Sequence, residues 1–97
     1  MRQIVYADSF VEDADAVAQY IEQRFGAERA TVFNQELERF CEAIANSPRL
    51  GRAKHGYATK LNGVVYEPNW IFFRHDDAEI EFIHIVDSRR DKRTIRF

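Results

Sequence analysis

The sequence predicts an α+β fold of order β-α-α-β-β-β, a helical hairpin packed on one face of a mostly antiparallel sheet. Three observations point there. Residues 10–25 and 30–44 each repeat apolar side chains every three or four positions, and little more than one glycine separates the two helices they predict. Residues 70–73 and 80–86 are rich in aromatic and β-branched side chains and are joined by an acidic turn. A third strand-like run, Val64-Val65-Tyr66-Glu67, precedes them across Pro68-Asn69.

Composition bounds the answer to one small domain over residues 1–97. Apolar residues make up 45% of the chain and charged residues 31%, a balance that suits a globular protein rather than a disordered one. A single cysteine, Cys41, allows no internal disulfide, and no Cys/His pairing suggests a metal site. No cofactor is expected. No signal peptide is legible, and no apolar run approaches the roughly 18 residues of a membrane span, so a cytoplasmic protein without membrane association is expected. The net charge of −2 is unevenly divided. Residues 1–50 hold five Lys and Arg against nine Asp and Glu, whereas residues 51–97 hold nine against seven. Arg89, Arg90, Lys92, Arg93 and Arg96 crowd the last ten positions, with Asp91 the only anion there. Such a cluster suits a phosphate backbone or an acidic protein surface, and a solvated tail is the plain alternative.

In chain order, Ile4-Val5-Tyr6 is a short strand that joins the sheet. Ser9-Phe10-Val11-Glu12 matches a capping box and places the start of the first helix near Phe10. Phe10, Ala14, Val17, Ile21 and Phe25 form its apolar stripe, and Glu12, Asp13 and Asp15 suit the positive end of the helix dipole. Gly26 ends that helix, and the second runs from about Glu28 to Ala45 with Ala30, Phe33, Leu37, Phe40 and Ile44 as its stripe. Asn46-Ser47-Pro48 stops it. The one-glycine connection makes the helices antiparallel. Residues 47–57 read as a long basic loop carrying Arg49, Arg52, Lys54 and His55. Residues 58–61 read as a weak strand, and Asn62-Gly63 as a hairpin turn or a bulge. The strand 70–73 follows, His75-Asp76-Asp77-Ala78 is the turn, and 80–86 returns with apolar side chains on both faces, as an internal strand does.

With these residues in this order, nearly the whole chain resembles the ParE/RelE superfamily of toxins from type II toxin–antitoxin modules. It is most similar to the ParE-like branch, which includes plasmid stabilisation proteins. The similarity lies in Ala18-Gln19-Tyr20-Ile21 with Arg24-Phe25-Gly26, in 43–52 (AIANSPRLGR), in Ile71-Phe72-Phe73-Arg74, and in 83–91 (IHIVDSRRD). Two positions depart from the pattern. Asp87 stands where the ParE-like ending usually has histidine, and Phe73 where tyrosine is common.

The resemblance implies a growth-inhibiting toxin neutralised by a cognate antitoxin, with either a toxin homodimer or a toxin–antitoxin hetero-oligomer as its assembly. Its ParE branch implies a binding protein that poisons DNA gyrase and needs no general base. Arg74, Arg89, Arg90, Lys92, Arg93 and Arg96 are then the candidates for target contact. Its RelE branch implies a metal-independent nuclease acting on messenger RNA in the ribosome. Arg74, Arg89 and Arg90 would stabilise charge there and His84 would move protons. His84 alternates with Phe82 and Val86, which favours a partly buried structural histidine. Tyr66, His75 and His55 are weaker candidates, which leaves the nuclease constellation incomplete. A third reading, an inert module that only binds its antitoxin, draws on Asp87. Val11, Ala18 and Val32, with Cys41, flank the helical stripes and are candidates for an antitoxin-binding surface or for core margin.

Overall fold

The computed structural model describes residues 2–48, 52–54, 61–66 and 68–87. The elements are β1 (Gln3–Tyr6), α1 (Asp8–Phe25), α2 (Ala27–Asn46), β2 (Arg52–Lys54), β3 (Leu61–Tyr66), β4 (Asn69–His75) and β5 (Glu79–Asp87). The sheet has five strands in the order β1-β5-β4-β3-β2, with β1 parallel to β5 and the other pairs antiparallel. The helical hairpin lies on this sheet, as the sequence predicts, and β5 runs between β1 and β4.

Several local expectations are corrected. Residues 52–54, taken from sequence as loop, are a strand that pairs with 61–63. Asn62-Gly63 is consequently no turn. It sits inside β3 between Phe73 and Phe72 of β4 on one side and Ala53 and Arg52 of β2 on the other. Pairing on both edges outweighs the local preference of an Asn-Gly dipeptide. The chain reverses instead between Tyr66 and Asn69, which face each other. Asn69, expected in that turn, is the buried first residue of β4. Of the weak strand at 58–61, only Leu61 falls within the described residues, where it opens β3.

A further correction concerns the start of α1. The helix begins at Asp8 behind Ala7, with no side-chain cap. Ser9 is not the cap, because its hydroxyl is used elsewhere: Ser9 Oγ donates to the carbonyl of Ile83 at 2.6 Å. At the far end of α1, Gly26 adopts φ 97° and ψ 167°, and its N–H closes the helix onto the Glu22 carbonyl. That conformation belongs to glycine. It lets α2 start at Ala27 with no intervening loop.

The core has two parts. Between helices and sheet, Phe10, Leu37, Cys41, Ile44 and Ala45 meet Ile71, Phe73, Ile80, Phe82 and Ile85. On the opposite face Leu61, Phe72 and Val86 are buried with Trp70 and Ile83 packed against them. Cys41 is thus fully buried core, not the outer position its place beside the stripe suggested. Phe25, placed in the stripe by its spacing, is 63% exposed at the hairpin tip, where the Arg29 guanidinium lies 5.7 Å from its ring centroid.

A bulge in β5 decides which residues face the helices. Phe72 pairs with His84 but Phe73 pairs with Phe82, so Ile83 has no opposite number. Strict alternation would put Ile85 on the face opposite Ile80 and Phe82. The extra residue shifts the phase, and all three enter the helix-side core while Ile83 and Val86 pack on the other face. This also corrects the expected alternation of His84 with Phe82 and Val86. The backbone groups disturbed by the bulge are met from α1. Ser9 takes the Ile83 carbonyl, Asp13 Oδ2 accepts the Ile85 N–H at 3.0 Å, and the Ala7 N–H donates to the Phe82 carbonyl at 3.0 Å.

Two stability measurements follow. A Cβ at Gly26 would meet nothing within 4 Å, so Gly26→Ala isolates the backbone cost of positive φ. Urea unfolding is expected to show a loss of about 1–3 kcal/mol with the slope unchanged. Asp13→Ala removes the acceptor of the Ile85 N–H and the carboxylate partner of His84 Nδ1, and is expected to cost about 1–3 kcal/mol. Asp13→Asn keeps one acceptor and should cost visibly less in the same titration. Equal losses would mean that the carboxamide oxygen does not replace the carboxylate.

Candidate functional site

The charged end of the β4–β5 hairpin is built on a tight turn. Asp76 N–H donates to the Glu79 carbonyl, and Asp76 Oδ1 accepts the Ala78 and Glu79 N–H groups, each at 2.8 Å. These backbone donors, from Glu79 and then Ala78, hold its carboxyl below the ordinary carboxylate range. Arg2 Nε donates to the Asp76 carbonyl and ties the N-terminal segment to the turn. One step back along the ladder, Arg74 faces Glu81. Arg74 Nε and Nη2 both reach Glu81 Oε1, at 2.8 and 2.7 Å. Arg74 is therefore a cation already paired across the strands. The pair is solvent-exposed, so its worth is only about 0–1 kcal/mol and the guanidinium is readily exchanged to another anion.

His84 is placed by the bulge against α1. Its Nδ1 lies 2.7 Å from Asp13 Oδ2, the oxygen that also accepts the Ile85 N–H. A carboxylate only accepts hydrogen bonds, so Nδ1 carries the proton in this contact. Both side chains are partly buried, at 20% and 30% exposure. Asp13 was legible only as one of several acids in the first turns of a helix. Its sequence position, three residues after the buried Phe10, was the available sign that it points toward the sheet rather than to solvent.

Arg74 and His84 are each engaged by a carboxylate. Arg74 shares the side of β4 with Phe72, which faces His84 across the ladder, and His84 Nδ1 reaches the α1 carboxylate. Tyr66 is half-buried with its ring 4.6 Å from that of Phe40, and burial raises its hydroxyl pKa. Phe73 is fully buried with its ring tilted against those of Phe82 and His75, so a tyrosine hydroxyl there would need a partner inside the core. His75 is exposed at the end of β4. Asp87 is the last residue of β5, opposite Asn69. Arg89, Arg90, Lys92, Arg93 and Arg96, and also His55, lie outside the described residues.

A shallow groove runs between the helices beside β1. Its floor is Phe10, Ala14 and Leu37, its apolar rims are Tyr6 and Val11, and its polar rims are Asp15, Asn34 and Glu38. Tyr6 and Val11 keep 39% and 45% of their surface exposed. Tyr6 stacks on Phe10 and Phe82, at 5.5 and 5.8 Å between centroids, and shares a hydrogen bond with the Cys41 thiol. Burial pushes the Cys41 thiol up to about 12, against the pull of the Tyr6 bond, which keeps it protonated and unreactive near neutral pH. Tyr6 also rises to about 12, through burial and then through Cys41 and the Glu38 and Glu42 carboxylates. Of the apolar positions singled out from sequence, Val11 lines this groove. Ala18 is half-buried seven residues further along the same helix, on the Val11 side. Val32 is exposed but lies two residues from Asn34, on another side of α2.

No curated protein matches the chain. Among solved structures, a chain described as "Chromosomal ParDE TA system from P. aeruginosa" has the same fold, with a TM-score of 0.75 over 90% of this chain and 96% of that one, at 18% identity. The family described as the ParE toxin of the type II toxin–antitoxin system parDE matches residues 4–92. With nearly the whole sheet and both helices inside that match, the chain belongs to the ParE toxin family.

Proposed function

We propose that this chain inhibits growth by binding and poisoning DNA gyrase, and that a cognate antitoxin neutralises it. The observation that carries the reading is that Arg74 and His84 are each bound to a carboxylate of their own. Phosphodiester cleavage by a 2′-hydroxyl needs a base, an acid and charge stabilisation around one phosphate. Here the arginine is paired with Glu81 outside the sheet and the histidine with Asp13 beneath α1. A binding toxin needs neither group as a catalyst. It needs a rigid platform and exposed cations, and Arg74 with Arg89, Arg90, Lys92, Arg93 and Arg96 remain the candidates for target contact.

Ribosome-dependent RNA cleavage keeps one supporting observation. The Asp13–His84 contact fixes the ring tautomer as an orienting carboxylate does for a general base. His84→Gln separates the two readings, because it preserves size and a hydrogen-bonding group while removing titration. Toxicity is expected to survive it, and abolished toxicity in a variant with unchanged circular dichroism would favour the nuclease.

Pulse-labelling of protein synthesis minutes after induction is the primary test. Labelling is expected to continue while cells filament, and purified gyrase is expected to accumulate cleaved DNA when the chain is added. Immediate collapse of labelling would overturn the gyrase reading. No growth effect at all would leave the chain an inert antitoxin-binding module. Arg90→Ala is expected to weaken gyrase poisoning by about tenfold or more, the loss of about 1.4 kcal/mol at a binding hot spot, with the fold retained. Full activity in that variant would remove Arg90 from the target contact.

A further inference from the structure

We infer that the groove between α1 and α2 selects its antitoxin segment by charge, accepting an amphipathic helix whose apolar row is flanked by lysine or arginine. This rests on the reading that an antitoxin binds the chain. The groove offers an apolar floor of Phe10, Ala14 and Leu37 and exposed apolar rims at Tyr6 and Val11. Its ionic lining is of one sign. Asp15 stands on the α1 rim and Glu38 on the α2 rim, and among the described residues no lysine or arginine lines it.

The surroundings reinforce that sign. Residues 8–46 hold nine Asp and Glu against Arg24, Arg29 and Arg39. A carboxylate from each helix in the lining of an apolar channel repels an acidic segment and favours a basic one. The occupant is helical because the channel is itself made of helices. Phe10 and Ala14 on one wall and Asn34, Leu37 and Glu38 on the other follow the three- and four-residue spacing that receives the ridges of a third helix.

The test uses the purified chain and two fluorescent helical peptides with the same leucine row, one flanked by lysines and the other by glutamates. Fluorescence anisotropy is expected to show the basic peptide binding about tenfold or more tightly than the acidic one, with the gap shrinking as salt is added. Asp15→Lys with Glu38→Lys should reverse the order. Glu22→Lys with Glu28→Lys makes the same change in net charge away from the groove and should leave the order intact. Equal binding of the two peptides overturns the inference, as does a preference that survives the groove substitutions or follows the control pair equally. A separate readout addresses the occupant. The cognate antitoxin should slow hydrogen exchange in residues 6–15 and 34–38. An antitoxin that binds tightly but leaves both stretches unprotected overturns the assignment of the groove to it, whereas no antitoxin binding at all strikes the functional reading itself.

Discussion

The bulge at Ile83 and the α1 side chains that close it are the constraint on which the rest of the molecule depends. β5 must supply the helix-side core along its whole length, yet its apolar residues are not spaced for this: Ile80 and Phe82 share one parity and Ile85 the other. One extra residue resolves the conflict by changing phase midway. It leaves backbone groups out of the regular ladder, and these must find partners or cost stability. Ser9 and Asp13 supply them from a single face of α1. The docking of α1 is thereby set by hydrogen bonds as well as by burial. The position of α2 follows, because Gly26 leaves no slack between the helices.

The same constraint explains what was legible in the sequence. Both helices, the short first strand, the β4–β5 hairpin and its acidic turn could be read from the local sequence. The features that escaped depend on residues far apart in the chain. Ser9 followed by Glu12 looks like a capping box within four residues, and only the Ile83 carbonyl, 74 positions away, shows why the hydroxyl is spent otherwise. Asn62-Gly63 looks like a turn until strands on both sides claim it. Cys41 looked marginal to the stripe because a helix wheel does not show that Tyr6 closes over it. Phe25 looked like core because the wheel does not show where the sheet ends.

The candidate site was legible in kind more than in place. Arg74, His84 and Val11 were each named from sequence, but their partners were not. Glu81 and Asp13 are ordinary exposed-looking acids until the register and the bulge bring them to Arg74 and His84. Those partners change what the named residues can do. A guanidinium shared with an exposed carboxylate can exchange to a stronger anion at little cost, which suits target contact. An imidazole bonded beneath a helix is held firmly in one tautomer, which suits structure and disfavours movement toward a substrate.

Phe73 links these arguments. Where related sequences commonly carry tyrosine, this chain carries a ring buried in contact with Phe82, on the helix side of the sheet. A hydroxyl at that position would face the apolar core, so phenylalanine there improves packing without removing an accessible acid. The departure that seemed to subtract chemistry is thus a core substitution. The weight of a functional argument shifts to the charged surfaces. A small domain with carboxylates bracketing its helical groove and cations gathered at its end has the means to hold two partners of opposite charge.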